Sequence, residues 1–191
     1  MIRAFVAVRI EPDMVQKIFE VQAQLKRKLS GIRWVRAENL HFTLKFLGEF
    51  QEEKIAPILK ALEQSLSATP AFPMNGRGIG VFPDIKRARV LWIGLWAEGL
   101  ESLAKEVEKV LEAMGFAREK RAFTPHLTIG RWGHFSGSIE HLKEEIERWR
   151  DHDFGESWVK EVVFFQSVLK PQGAVYKPLG VLSLGAERSL P

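Results

Sequence analysis

His41-Phe42-Thr43-Leu44 returns 85 residues later as His126-Leu127-Thr128-Ile129, and the fold of the 191-residue chain is read outward from this pair. In an extended strand residues i and i+2 lie on one face about 6.6 Å apart, and i+1 and i+3 lie on the other. Each tetrapeptide therefore sets a histidine beside a threonine and backs them with two apolar residues. With five histidines and four threonines in the chain, chance supplies about 0.1 His-x-Thr triplets. Two occur.

The flanks repeat at the same offset. Arg3-Ala4-Phe5-Val6 falls on Ala88-Arg89-Val90-Leu91, and strand Phe72–Phe82 falls on Ser157–Ser167. Apolar residues at three- and four-residue spacing predict helices over Pro12–Leu29, Gln51–Leu66, Glu98–Met114 and Ser138–Arg150. Alternating or apolar runs predict strands at Ile2–Ile10, Ile32–Arg36, His41–Leu47, Phe72–Phe82, Arg89–Trp96, Phe123–Arg131, Ser157–Leu169 and Ala174–Leu184. No linker interrupts them. The expected fold is α+β, one domain over residues 1–191 made of two β-α-β-β-α-β-like copies packed face to face about a pseudo-twofold axis.

Composition narrows the function classes. Hydrophobic residues make up 46% and charged residues 27%, as in ordinary globular proteins and unlike disordered or collagenous chains. The longest uncharged apolar run, Val90 to Ala97, is of strand length, far below the roughly 20 residues of a membrane-spanning helix. Arg3 and Arg9 interrupt the N-terminal apolar run, so no secretion signal is expected there. The absence of cysteine excludes disulfides, thiol nucleophiles and thiolate-bound metals, and is compatible with a cytoplasmic protein. A net charge of +4, with basic clusters at Lys26-Arg27-Lys28, Lys86-Arg87 and Arg118–Arg121, leans towards a polyanionic partner.

If the two repeats face each other, two imidazoles and two hydroxyls converge on one volume. Imidazoles titrate near 6.5, so one can take a proton from a nucleophile while the other gives one to a leaving oxygen. The hydroxyls of Thr43 and Thr128 can donate to non-bridging oxygens. That chemistry is phosphodiester cleavage by paired acid and base. No HExxH or Cys/His spacing argues for a metal, and no cofactor is expected.

The segments Ile32–Glu49 (IRWVRAENLHFTLKFLGE), Ala88–Leu95 (ARVLWIGL), Phe123–Arg131 (FTPHLTIGR) and Phe164–Tyr176 (FFQSVLKPQGAVY) resemble the two-histidine phosphoesterases. The branch they resemble is the RNA 2′,3′-cyclic phosphodiesterases, also called 2′-5′ RNA ligases. The resemblance implies a bilobal fold with two antiparallel sheets lining a central cleft and helices outside. It implies metal-free hydrolysis of RNA ends bearing a 2′,3′-cyclic phosphate, such as tRNA halves, to a 2′-phosphate. The reverse reaction, by a 5′-hydroxyl, forms a 2′-5′ linkage. Carried over, His41 is the proton donor and His126 the proton acceptor, although near-symmetric triplets leave the reverse assignment open. A cytoplasmic monomer with no membrane partner is expected.

Arg131 matches the family's HxTxxR pattern as a phosphate contact, but strict alternation puts it opposite His126, so a bend at Gly130 is required. An ion pair is the alternative role. Lys45, four residues after His41, shares its face by the same alternation and either supplies positive charge or ends the strand in solvent. Trp34, Phe82 and Phe123 are candidates for stacking a base or for core packing. Gly76–Gly80 lacks the third glycine and following helix of a dinucleotide fingerprint. Two rivals stay open: the same chemistry on a nucleotide-sugar cyclic phosphate or a 2′-5′ oligonucleotide, and a non-catalytic nucleotide- or RNA-binding module.

Overall fold

A computed structural model of the chain describes residues 1–171 and 173–185. In order, its elements are β1 (Ile2–Arg9), α1 (Pro12–Leu25), β2 (Ile32–Trp34), β3 (His41–Phe50), α2 (Ile55–Leu66), β4 (Phe72–Phe82), β5 (Val90–Trp96), α3 (Glu98–Ala113), β6 (His126–Trp132), α4 (Ile139–Arg148), β7 (Asp153–Val159), β8 (Glu161–Lys170) and β9 (Gly173–Ser183). The helices follow the apolar periodicity. In α3, Leu100, Leu103, Ala104, Val107 and Leu111 form one buried stripe. α1 ends at Leu25, short of the predicted Leu29, because Arg27 and Lys28 bond the carbonyls three residues back and tighten the chain into a turn.

The strands form a curled antiparallel sheet in the order β7-β4-β5-β6-β3-β1-β8-β9, with β2 beside β6. The two sheets expected from the resemblance are joined edge to edge, at a single residue pair: Phe42 of β3 opposite Leu127 of β6. These two residues are equivalent in the 85-residue repeat, so the pseudo-twofold passes through them. On either side lie a His41 lobe (β3-β1-β8-β9) and a His126 lobe (β6-β5-β4-β7, with β2). Each draws on both halves of the sequence: β4 pairs with β5, β8 pairs with β1, α1 packs on β7, and α3 packs on β3.

The predicted strand Ser157–Leu169 proves to be two. β7 pairs with β4 in one lobe and β8 with β1 in the other, so the chain must cross between lobes near Lys160. The helices cover one face of the sheet and enclose the main core. On the other face a separate small cluster forms from Phe5, Ala7, Val163 and Phe165, with Tyr176 against it. No described helix is long and apolar enough to cross a membrane.

Lys45 corrects the strict-alternation reading. Thr43 pairs with Ala7 but Lys45 pairs with Val6, so Leu44 is an extra residue and the strand changes faces there. Lys45 thus points into the helix side. Its side chain is 4% exposed, and its ammonium donates 2.7 Å bonds to a Glu108 carboxylate oxygen and to the Ala117 carbonyl. Neither a role in the cleft nor a solvated strand end survives. Removing one member of such a pair leaves the other charge without its partner, so Lys45→Met is expected to lower stability by about 3 kcal/mol. Denaturant unfolding of Lys45→Met and of the double variant Lys45→Met/Glu108→Leu checks this: the double variant should recover most of the loss.

Candidate active site

The Phe42–Leu127 pair decides where the flanking polar residues point. Phe42 is 1% exposed and Leu127 fully buried, both on the helix side. Alternation then sends His41, Thr43, His126 and Thr128 to the open face around them. His41 and His126 each sit one residue from this pair, so both imidazoles rise from the open face on either side of the seam between the lobes.

Both rings are held in the same way. Nδ1 of His41 lies 2.6 Å from the Asn39 carbonyl, and Nδ1 of His126 lies 2.7 Å from the Thr124 carbonyl. A carbonyl only accepts, so Nδ1 carries the proton and Nε2 is left with its lone pair. Aromatic rings fix the imidazole planes. Phe5 packs 4.8 Å from His41 and Tyr176 meets it edge-on at 5.1 Å, while Phe82 meets His126 edge-on at 4.9 Å. Burial pushes His41 down to about 4; the Asn39 carbonyl opposes this and the charge of Arg131 adds to it. His126 is lowered too, first by burial, against the Thr124 carbonyl, and further by Arg131 and Arg121.

Arg131 reaches the open face through a second bulge. Thr128 pairs with Trp92 but Gly130 pairs with Leu91, so Ile129 is the extra residue, equivalent to Leu44 in the repeat. The required bend therefore exists, one residue before Gly130. The bulge carbonyl of Ile129 is satisfied by Val35 N–H and by Nε2 of the buried Gln22, at 2.9 Å. Arg131 now opposes Val90 on the face of Trp92 and His126, and it makes no ion pair among the described residues. Its neighbour across β2 is Arg33, also without an ion pair among them. Two guanidinium groups directly opposite one another repel unless an anion lies between them. Position 46, the equivalent of Arg131 in the first half, is instead Phe46, 58% exposed and 5.7 Å from Phe5.

Of the three stacking candidates, Phe82 is at the site. Trp34 pairs with Gly130 on the helix side, with the Lys26 ammonium over its ring. Phe123 lies against Phe42, whose ring points away from the open face. Sequence reasoning missed Phe5, Phe165, Tyr176, Trp92 and Arg33. Alternation along β1, which puts Phe5 and Ala7 on the face of Arg9 and His41, was a usable signal for the first. The position of Arg33 depends on β2 pairing with β6, which no local pattern announces. Beside His41 a pocket of about 310 Å³ is walled by Arg9, Glu38, Leu40, Phe165, Tyr176 and Pro178. Among the described residues, no three His, Asp or Glu side chains cluster as a metal site.

Comparison with known proteins gives the arrangement a lineage. The sequence profile of the family described as LigT like Phosphoesterase matches residues 8–92 and 95–176. The chain belongs to the LigT-like phosphoesterases. It is therefore a phosphodiesterase, and both His-x-Thr triplets lie within the matched regions. It is 40% identical over 175 residues to the RNA 2′,3′-cyclic phosphodiesterase of Methanocaldococcus jannaschii, covering 92% of this chain and 96% of that one. It is 37% identical over 180 residues to the protein of that name from Archaeoglobus fulgidus, covering 94% and 98%. The crystal structure of E. coli LigT complexed with 3′-AMP superposes with a TM-score of 0.78 at 25% identity, covering 96% and 98%.

Depressed imidazoles make stability depend on pH in a definite sense. Below the ordinary value of 6.5 the unfolded chain binds protons on these histidines that the folded LigT-like protein refuses. That contribution to stability is present above 6.5 and is lost as pH falls from 6.5 towards 4. His41→Gln is expected to flatten this slope in denaturant midpoints measured across that range. A slope equal to the parent protein's would contradict the buried imidazole.

Proposed function

We propose that the chain hydrolyses RNA ends bearing a 2′,3′-cyclic phosphate to a 2′-phosphate, with His41 as proton donor and His126 as proton acceptor, and that it runs the reverse 2′-5′ joining reaction. The observation that carries this is the matched pair of imidazoles, each with Nδ1–H bonded to a carbonyl two residues earlier and both within the field of Arg131. The curated relatives named for this activity support the substrate.

The reaction follows from what each group can give and take. His126 is the less buried ring and has its Nε2 lone pair free, so it accepts the proton of the attacking water on the solvent side. The P–O3′ bond breaks opposite, and the imidazolium of His41 donates its Nε2 proton to O3′. Thr43 and Thr128 donate to the non-bridging oxygens, and Arg131 with Arg33 holds their negative charge. In the free protein His41 is seldom protonated. A bound phosphate changes this: it offsets Arg131 and adds a negative charge beside the ring, and both effects favour the imidazolium.

The pH dependence follows in sign. In the free enzyme the competent form needs one imidazole charged, and both are shifted below 6.5, so kcat/KM should peak on the acid side of neutrality and fall as pH rises. The alkaline limb of kcat should lie at higher pH, because bound phosphate stabilises the proton. A flat profile from pH 5 to 9 would refute the pairing. His41→Ala or His126→Ala should each lower turnover by roughly 10²–10⁴-fold, and EDTA should leave it unchanged. Product analysis on a short RNA ending in a 2′,3′-cyclic phosphate tests the reading itself: a 2′-phosphate end is expected, and no cleavage, or a 3′-phosphate end, would overturn it.

A further inference from the structure

One side chain beside His41 has no part in the proposed hydrolysis: the amide of Asn39. This residue ends the turn Ala37–Asn39 just before β3. Its carbonyl accepts from Nδ1 of His41 at 2.6 Å, and its side-chain Nδ2 donates to the Ala174 carbonyl of β9 at 3.1 Å. The second half of the repeat has no such tie. Thr124 stands 85 residues after Asn39, and among the described residues it makes its bond to His126 through the carbonyl alone. The lobes also differ in what brings an aromatic ring to the histidine. Phe82, edge-on to His126, sits on β4, which is bonded to β5 on one side and β7 on the other. Tyr176, edge-on to His41, sits on β9, the last strand of the sheet. Its register partner is Ser167 of β8, and β8 pairs with β1 only as far as Gln166. From Ser167 outward β8 and β9 are therefore a two-stranded arm, and such a ribbon is marginal in water without a further contact.

We infer that Asn39 is a positioning residue for His41: its amide latches the β8–β9 arm, and the latched arm seats Tyr176 against the imidazole. The inference rests on the reading above, in which His41 moves a proton. Ala174 and Tyr176 are two residues apart on one strand and share a face, so fixing the Ala174 carbonyl fixes where the Tyr176 ring stands. The same bond joins the two walls of the pocket of about 310 Å³ beside His41. Ala37, Glu38 and Leu40 form one wall, and Tyr176 and Pro178 form the other. With the arm latched, the imidazole is held at Nδ1 by the carbonyl and at its side by the tyrosine, and water is kept from the ring. With the arm released, the carbonyl stays and the tyrosine wall is lost.

Removing the amide changes no charge. The titratable groups around His41 are Arg9, its register partner, paired with Glu161; Glu38 and Tyr176 in the pocket; and His126 and Arg131 on β6. All of them remain in Asn39→Ala, so a change in the proton affinity of His41 reports solvent access to its ring. Burial is the largest influence holding His41 low, and the Asn39 carbonyl opposes it. Opening the wall while keeping the carbonyl must therefore raise it.

The test follows the histidine ring protons of the full chain by NMR across the acid range, beside turnover of an RNA ending in a 2′,3′-cyclic phosphate. Asn39→Ala should raise the His41 titration by about one unit, leave that of His126 in place, and lower kcat roughly tenfold. Asn39→Thr, which borrows the residue of the other half of the repeat, should do the same. Tyr176→Phe should match the parent, because the ring makes the contact. Tyr176→Ala should raise His41 as Asn39→Ala does, and the double variant should add nothing further, since the amide acts through the tyrosine. An unchanged His41 titration, an equal shift of His126, additive shifts in the double variant, or an undiminished kcat would each overturn the inference. Failure of the parent protein to hydrolyse the cyclic phosphate would instead remove the reading beneath it, and the His41 titrations would still decide whether Asn39 seats the ring.

Discussion

One backbone pairing organises the molecule: β3 is in register with β6 at Phe42 and Leu127. Because both side chains are buried against the helices, the histidine and threonine on each strand have no choice but to face the other way. A slip of one residue in either strand would bury the imidazoles and expose the apolar pair. The apolar cost of that slip fixes the register of the polar groups. Paired bulges at Leu44 and Ile129 then reverse the alternation just beyond the triplets, sending Lys45 into the core and Arg131 into the open. The first half uses its bulge to anchor α3 through Glu108, and the second uses the equivalent bulge to deliver a cation.

Electrostatics give the site its appetite for an anion. Two imidazoles held neutral by burial and two guanidinium groups facing one another without ion-pair partners among the described residues form a site whose charges are uncompensated. In the proposed mechanism a phosphate would relieve the guanidinium repulsion and favour the histidine proton together, so that binding the anion and arming the donor would be the same step. The asymmetry between Phe46 and Arg131 breaks the twofold.

Much of this was legible in the sequence. The histidine and threonine positions, the helices and most strands follow from periodicity and an 85-residue repeat, because a side chain's face is set by local alternation. What was not legible depends on pairing between distant strands. Alternation carried through the bulges put Lys45 in the cleft and left Arg131 waiting for a bend, since an extra residue in one strand shows only against its partner. The break between β7 and β8 is invisible for a similar reason: both segments are apolar, and only their different partners separate them. Trp34 and Phe123 carry the residue types of a stacking platform, but only strand pairing and tertiary contact put Trp34 on the helix side and Phe123 beside the buried Phe42.

The central claim is that two imidazoles from opposite lobes share a single phosphate. ¹⁵N NMR of the histidine rings, followed while a nucleoside 2′-phosphate is titrated in, tests it directly. In the free protein His41 and His126 should both show the Nδ1–H tautomer, and one equivalent of ligand should shift both Nε2 resonances together, with a proton taken up from solvent. Two separate binding events, or a response confined to one ring, would show that the histidines serve different sites and would contradict the account.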